Sequence, residues 1–313
     1  MRKIAPVEIT PAAAAQIARR HGLRDALMGP LPSTGIINTV HSLGERHVLR
    51  VPRDHPLHIA QAVKEAAAIP LAVAAGVRTP RLVAFDDSLE TLPVPYLIVE
   101  RIAGADAETL GPSALRQNEP WRELGHDLAR LHMLGAVGDG TGVAINATPK
   151  FGDPRELVQD RVADGWLSAV EAQWMQRWLD RIASRATRKG PARLLHGDVQ
   201  MSNVLLDPGT LEYLALIDWG CAQGDEIEYD FLGFPMHLVP SVLDGYRDES
   251  DMSADDEAEV RIVWRRLQMI LTILPRGSAP GCGWGERPVA WLADLLKFLA
   301  TTGLDEWRSL GPT

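Results

Sequence analysis

Two polar clusters, each enclosed by apolar runs, constrain the fold of this chain more than any other feature. The first is Arg193-Leu194-Leu195-His196-Gly197-Asp198-Val199-Gln200-Met201-Ser202-Asn203-Val204-Leu205-Leu206, and the second is Ala215-Leu216-Ile217-Asp218-Trp219-Gly220. Short apolar runs of this kind read as buried strands. Asp198, Asn203 and Asp218 would then stand at the ends of rigid elements. Asp198 and Asn203 lie five apart, which suits one loop whose first residue meets a substrate and whose last meets a cation. Asp218 lies fifteen beyond Asn203, enough for a hairpin to return it beside the amide. Two carboxylates and an amide so arranged can position a hydroxyl, accept its proton and offer hard oxygen ligands to magnesium. Phosphoryl transfer needs that trio.

The rest of the chain divides in two. Thr10-Pro11 and the alanine-rich run ending at His21-Gly22 carry an N-cap, a first-position proline and a C-terminal glycine, and predict a short helix. Ile36–Val40 and His47–Val51 alternate about a turn at Gly44-Glu45, the pattern of a hairpin. His58–Ala75 reads as a helix that Pro70 should end or kink. Two more strands are expected at Arg81–Phe85 and Tyr96–Glu100, separated by the Pro93/Pro95 loop. Beyond Gly104 the pattern turns helical, over Trp121–Leu134, Glu156–Ala186, Glu257–Leu274 and Val289–Thr301. These features predict an α+β chain of two lobes, a small strand-rich one over 1–104 and a larger, mostly helical one over 105–313.

Composition narrows the function classes. The 313 residues hold 41 Asp and Glu against 32 Lys and Arg, a formal net charge of −9, which argues against nucleic acid held by bulk electrostatics. No stretch approaches the apolar length of a membrane span, and Pro6, Glu8 and Pro11 interrupt any signal-peptide run. Cys221 and Cys282 are too few for a disulfide framework, so the chain reads as cytoplasmic. None of the five lysines, Lys3, Lys64, Lys150, Lys189 and Lys297, follows a glycine, so the phosphate loop ending in G-K-[ST] is absent. There is no G-x-S-x-G elbow either. His55 and His58 lack nearby Cys or carboxylate ligands and read as a polar helix start rather than a zinc site.

From about Gly35 to Asp230 the chain resembles the protein-kinase-like small-molecule kinases of the aminoglycoside phosphotransferase and choline kinase group. His196-Gly197-Asp198 with Asn203 looks like that family's catalytic loop, and Ile217-Asp218-Trp219-Gly220 like its metal-binding D-x-G segment. The resemblance implies Asp198 as catalytic base, Asn203 and Asp218 as magnesium ligands, and ATP or GTP as phosphoryl donor. Arg50 stands where the family's phosphate-contacting lysine usually lies, with Glu65 as its acidic partner; arginine is a departure, although a guanidinium still offers two donors. Ser33-Thr34-Gly35 would be the turn over the phosphates, without the full glycine-rich loop of protein kinases. Glu100 and Ile102 occupy the hinge, where the C=O of the first and the N–H of the second would meet the base. His196 and Asp230 are expected to brace the catalytic loop, and His132 to be a packed helix histidine. Gly138-Asp139-Gly140-Thr141-Gly142 fails the dinucleotide fingerprint because no strand precedes it.

The acceptor is less legible. The acidic run from Asp244 to Glu259 could attract a polycationic sugar or simply open a helix. Trp264, Trp284 and Trp291 could stack on an acceptor or pack in the core. The reaction expected is transfer of the γ-phosphoryl group to a hydroxyl of an antibiotic, an aminoglycoside or another hydroxylated natural product. A metabolic kinase of choline, a hydroxy amino acid or a sugar is the alternative, ahead of a non-catalytic nucleotide-binding regulator. A protein kinase fits poorly, since no A-P-E segment follows Asp218-Trp219-Gly220. The sequence leaves the oligomeric state open.

Overall fold

Antiparallel pairing of short strands builds one lobe, and helices packed at close range build the other. The computed structural model describes residues 4–23, 28–31, 37–135, 151–186, 192–250, 255, 257–277 and 287–312. Helix α1 (Pro11–Arg20) starts on Thr10, whose hydroxyl accepts the Ala13 N–H at 3.1 Å; such a cap stabilises by about 1 kcal/mol. Strands β1 (Met28–Pro30), β2 (Asn38–Leu43), β3 (His47–Pro52), β4 (Leu82–Asp86) and β5 (Tyr96–Glu100) form one antiparallel sheet in the order β1-β2-β3-β5-β4. Leu43, Leu49, Val51, Tyr96 and Ile98 from this sheet form a core with Ile17 and Ala18 of α1.

Helix α2 (Pro56–Ala74) begins on His55, whose Nδ1 accepts the Leu57 N–H at 3.3 Å. The expected break at Pro70 does not occur: the helix runs through it for another turn. Proline removes one i→i−4 bond, and burial of Ala68, Ile69 and Ala72 against the large core holds the helix on both sides of the gap. By length and composition α2 is also apolar enough to cross a membrane, contrary to the sequence expectation. It packs instead beside β3, β4 and β5 and carries the buried Glu65.

The second lobe is mostly helical: α4 (Glu119–Met133), α5 (Pro154–Ala163), α6 (Ala169–Ala186), α7 (Val239–Glu249), α8 (Ala258–Ile273) and α9 (Pro288–Thr301), with short helices α3 (Ala107–Leu110) and α10 (Asp305–Arg308). The single helix expected over 156–186 is two, parted where Gly165 adopts φ +77°. α4 and α7 meet backbone to backbone, since a Cβ on Gly125 or Gly245 would overlap the Val242 or Arg122 carbonyl oxygen. Trp264 and Trp291 are buried in this core, whereas Trp284 lies outside the described residues.

Two small sheets carry the polar clusters. Strand β6 (Ala105–Asp106) pairs with β8 (Val204–Leu206), which pairs with β9 (Tyr213–Leu216); β7 (Arg193–Leu195) pairs with β10 (Gln223–Asp225). All of these pairings are antiparallel.

Candidate active site

The register of the β8–β9 hairpin decides what the site contains. Val204 lies opposite Leu216, so Asn203 and Ile217 adjoin, and the Ile217 N–H donates to the Asn203 C=O at 2.9 Å. The next residue, Asp218, turns out of the strand at φ +72° and ψ 71°. For a residue other than glycine that conformation is sparsely populated and tends to persist where function needs it.

Asp198 and Asn203 form one bonded loop. Asn203 Nδ2 donates to the Asp198 backbone oxygen at 2.8 Å and to its Oδ2 at 3.1 Å. Gln200, which the sequence reading passed over, donates its Nε2 to the same Oδ2 at 3.0 Å. Its only sequence signal was a side-chain amide two residues after the aspartate. With the Asn203 NH2 group engaged, only its Oδ1 can serve a cation. Burial, and then the nearby Asp218 carboxylate, push the Asp198 carboxyl up, against the hydrogen bonds it accepts from Asn203 and Gln200.

Two buried residues hold the loop from behind. The Asp230 carboxylate accepts the His196 N–H and the Gly197 N–H, each at 2.8 Å, and lies 3.1 Å from His132 Nε2. His132 Nδ1 in turn lies 3.1 Å from the Tyr246 hydroxyl, tying α4 and α7 to the same carboxylate. His196 Nδ1 accepts the Asp198 N–H at 3.3 Å, so Nε2 bears the proton it gives to the Ile217 C=O at 3.0 Å. Both ring nitrogens are engaged in bracing. Gly197 itself has φ +79°, and a Cβ there would overlap the Cys221 carbonyl oxygen. Gly197→Ala is therefore expected to lower the unfolding free energy by roughly 1–3 kcal/mol and to reduce turnover, read by urea denaturation beside a rate assay. An alanine variant as stable and as fast as the parent would refute that account.

The sheet lobe supplies a cation. Arg50 on β3 places Nε 3.0 Å from the nearer Glu65 oxygen and donates a terminal nitrogen to Asp218 Oδ1 at 2.8 Å. Burial pushes the Glu65 carboxyl up to about 7, with Arg50 pulling the other way. Against its own burial, Arg50 is held charged by Glu65 and Asp218. The structure thus brings Arg50, Glu65 and Asp218 into one ion-paired chain, and Asp198 and Asn203 lie beside it.

Glu100 and Ile102 sit apart from this cluster, where β5 ends. The Glu100 N–H donates to the Arg81 C=O at 2.9 Å, and the Ile102 C=O accepts from Gly104 at 3.0 Å. Those bonds do not consume the two groups expected to meet a base, the C=O of Glu100 and the N–H of Ile102. Ser33, Thr34 and Gly35 lie outside the described residues, as does the Gly138–Gly142 run. Four described carboxylates of the acidic run are closely paired: Asp248 with Arg122 at 2.5 Å, Glu249 with Arg130 at 2.5 Å, Asp255 with Arg261 at 2.5 Å and Glu259 with Arg247 at 2.7 Å.

The model of the phosphotransferase enzyme family matches residues 31–270. The chain belongs to that family. Phosphotransferase structures share its fold at low identity: wild-type aminoglycoside 2'-phosphotransferase-IIIa in its GDP complex is 17% identical, with a TM-score of 0.63, covering 91% of this chain and 98% of that one. A choline/ethanolamine kinase family protein from Mesorhizobium loti is 18% identical, with a TM-score of 0.59, covering 96% and 97%. Mouse acyl-CoA dehydrogenase family member 10 is 25% identical over an alignment of 188 residues that covers 56% of this chain. The match spans only 17% of the length of that curated relative.

Proposed function

We propose that this phosphotransferase moves the γ-phosphoryl group of ATP or GTP to a hydroxyl of a small molecule, with an antibiotic or other hydroxylated natural product as acceptor. The observation that carries the reading is the bonded Asp198–Asn203 loop lying beside the Arg50–Asp218 ion pair, because it sets a base beside two hard oxygen donors and a fixed cation. In the reaction the acceptor oxygen bonds to the γ-phosphorus. The bond from that phosphorus to the β–γ bridging oxygen breaks, and its electron pair leaves with the nucleoside diphosphate. The acceptor proton passes to Asp198 Oδ1, since Oδ2 already takes two amide N–H groups. Positioning dominates a loose transition state of this kind.

The donor set fits magnesium. Among the described residues no group of three His, Cys, Asp or Glu could form an all-protein cage, and Mg²⁺ ordinarily takes one or two protein oxygens with phosphates and water. Asn203 Oδ1 and the Asp218 carboxylate would hold it, and when bound it would neutralise charge on the transferring phosphates. Arg50, oriented by Glu65, would draw those phosphates into line, and the hinge at Glu100 and Ile102 would meet the base. Removing divalent ions with EDTA is expected to abolish turnover, and added Mg²⁺ to restore it; undiminished turnover in EDTA would refute the metal assignment.

The fold is equally that of a choline/ethanolamine kinase family protein, so a metabolic kinase of choline, a hydroxy amino acid or a sugar is the second reading. The test is a coupled assay of nucleoside diphosphate release, with both nucleotides, over aminoglycosides, other hydroxylated antibiotics, choline and simple sugars. Acceptor-dependent release lost in Asp198→Ala supports the proposal. Acceptor-dependent release that survives in that variant sinks it.

A further inference from the structure

A cavity of about 240 Å³ lies beside the catalytic loop, with Gly197, Gly220 and Cys221 on one side. Its volume is just below the ~300 Å³ at which small-molecule pockets usually begin, room for one ring rather than a string of them. Phe151, Tyr229 and Met269 give it an apolar side, and Gln61 and Gln223 add neutral amides. Lys64 is the one charged side chain among the described lining residues, and no carboxylate among them pairs with it.

On the wall itself the charge is positive, while the Asp198 and Asp218 carboxylates adjoin it beyond Gly197, Gly220 and Cys221. Two carboxylates adjoining Tyr229 in sequence are already paired, Glu226 with Arg265 and Glu228 with Arg261 at 2.5 Å. Asp248, Glu249, Asp255 and Glu259 of the acidic run are each paired with an arginine in the same way. The Arg265 guanidinium lies 5.5 Å from the centre of the Tyr229 ring, so that aromatic face already holds a positive charge. The wall is fixed as well as apolar. The Tyr229 hydroxyl bonds Gln268 at 3.1 Å, and Gln268 Nε2 bonds the carbonyls of Phe151 at 2.8 Å and Gly152 at 2.7 Å. A polycation entering here would meet Lys64 on the wall, and the carboxylates beside it, Asp198 and Asp218, belong to the reacting end of the cavity. An apolar ring would gain contact with Phe151, Tyr229 and Met269 at roughly 25 cal/mol per Å² of apolar surface buried.

We infer that the acceptor is an uncharged molecule whose reacting hydroxyl stands next to an apolar or aromatic face, and that Lys64 selects against cationic acceptors. The inference rests on the phosphotransferase reading above and narrows it, away from polycationic aminoglycosides and from choline.

The probes are chloramphenicol and 4-nitrophenyl β-D-glucoside, both uncharged aryl alcohols, against kanamycin and choline. Each is titrated calorimetrically into the full-length protein with Mg²⁺ and a non-hydrolysable nucleotide, at one ionic strength. At least one uncharged probe is expected to bind about tenfold or more tightly than either cation. Lys64→Glu should shrink that ratio about tenfold, and Gln223→Glu should shift it the same way should the first variant fold poorly. Tighter binding of kanamycin or choline, a ratio unmoved by both variants, or no uncharged probe held below about 1 mM would each overturn the inference. A thermal shift with Mg-ATP and Mg-GTP on the same samples separates the two levels. Lost nucleotide binding refutes the phosphotransferase reading itself, while intact nucleotide binding with cation-preferring acceptor data refutes only the acceptor class.

Discussion

Asp198→Ala is expected to lower kcat by roughly 10²–10⁴-fold while leaving nucleotide affinity nearly unchanged. The separation follows from how the loop is held. Asn203 Nδ2 keeps its 2.8 Å bond to the backbone oxygen of residue 198 when the side chain is removed. Asp230 still clamps the loop through the His196 and Gly197 N–H groups. The variant therefore loses the proton acceptor and little of the framework. Single-turnover rates, beside calorimetric titration of Mg-nucleotide, measure the two effects apart. A variant that turns over at the parent rate would remove Asp198 from the chemistry, and one that loses nucleotide binding in proportion to rate would make it a structural residue.

Asp218→Ala is expected to fail at the earlier step, with Mg-nucleotide affinity lowered by at least about 10–100-fold, the range found when even the support of a metal ligand is removed. Asp218 is at once a candidate ligand and the partner of Arg50 at 2.8 Å, so its loss also frees the cation meant for the phosphates. Alanine is strained at φ +72°, and Asp218→Asn, a residue that tolerates this region, separates backbone strain from lost charge. Both variants should bind Mg-ATP and Mg-GTP more weakly than the parent in a thermal-shift titration. Unchanged affinity in the asparagine variant would move the metal elsewhere.

Much of this site was legible because its parts are local. Asp198, Asn203 and Asp218 are ordered by a short loop and a short hairpin, both of which a reader can fold from spacing alone. Arg50 and Glu65 were legible only through resemblance, since it is the docking of α2 against β3 that sets their side chains 3.0 Å apart. Tertiary packing overrode local preference at Pro70, where buried alanines and Ile69 hold a helix that the sequence would stop. At Gly165 the error ran the other way, for an amphipathic pattern continues on both sides of a turn that periodicity does not register. For the acidic run the sequence left two readings open, a surface for a polycationic sugar or a helix start, because Arg122 and Arg130, which pair Asp248 and Glu249, lie on α4, more than a hundred residues earlier. Gln200 was missed because its role depends on which oxygen of Asp198 it reaches, and spacing carries no such information.

That choice of oxygen bears on regiochemistry. Gln200 and Asn203 both hold Asp198 Oδ2, which leaves Oδ1 as the oxygen open to an incoming alcohol. A polyol with several hydroxyls of similar acidity then has one accepting atom at which proton loss and attack on phosphorus coincide. The position that receives the phosphate would be selected by the angle at which the loop presents that oxygen, before the outer walls of the cleft have any say.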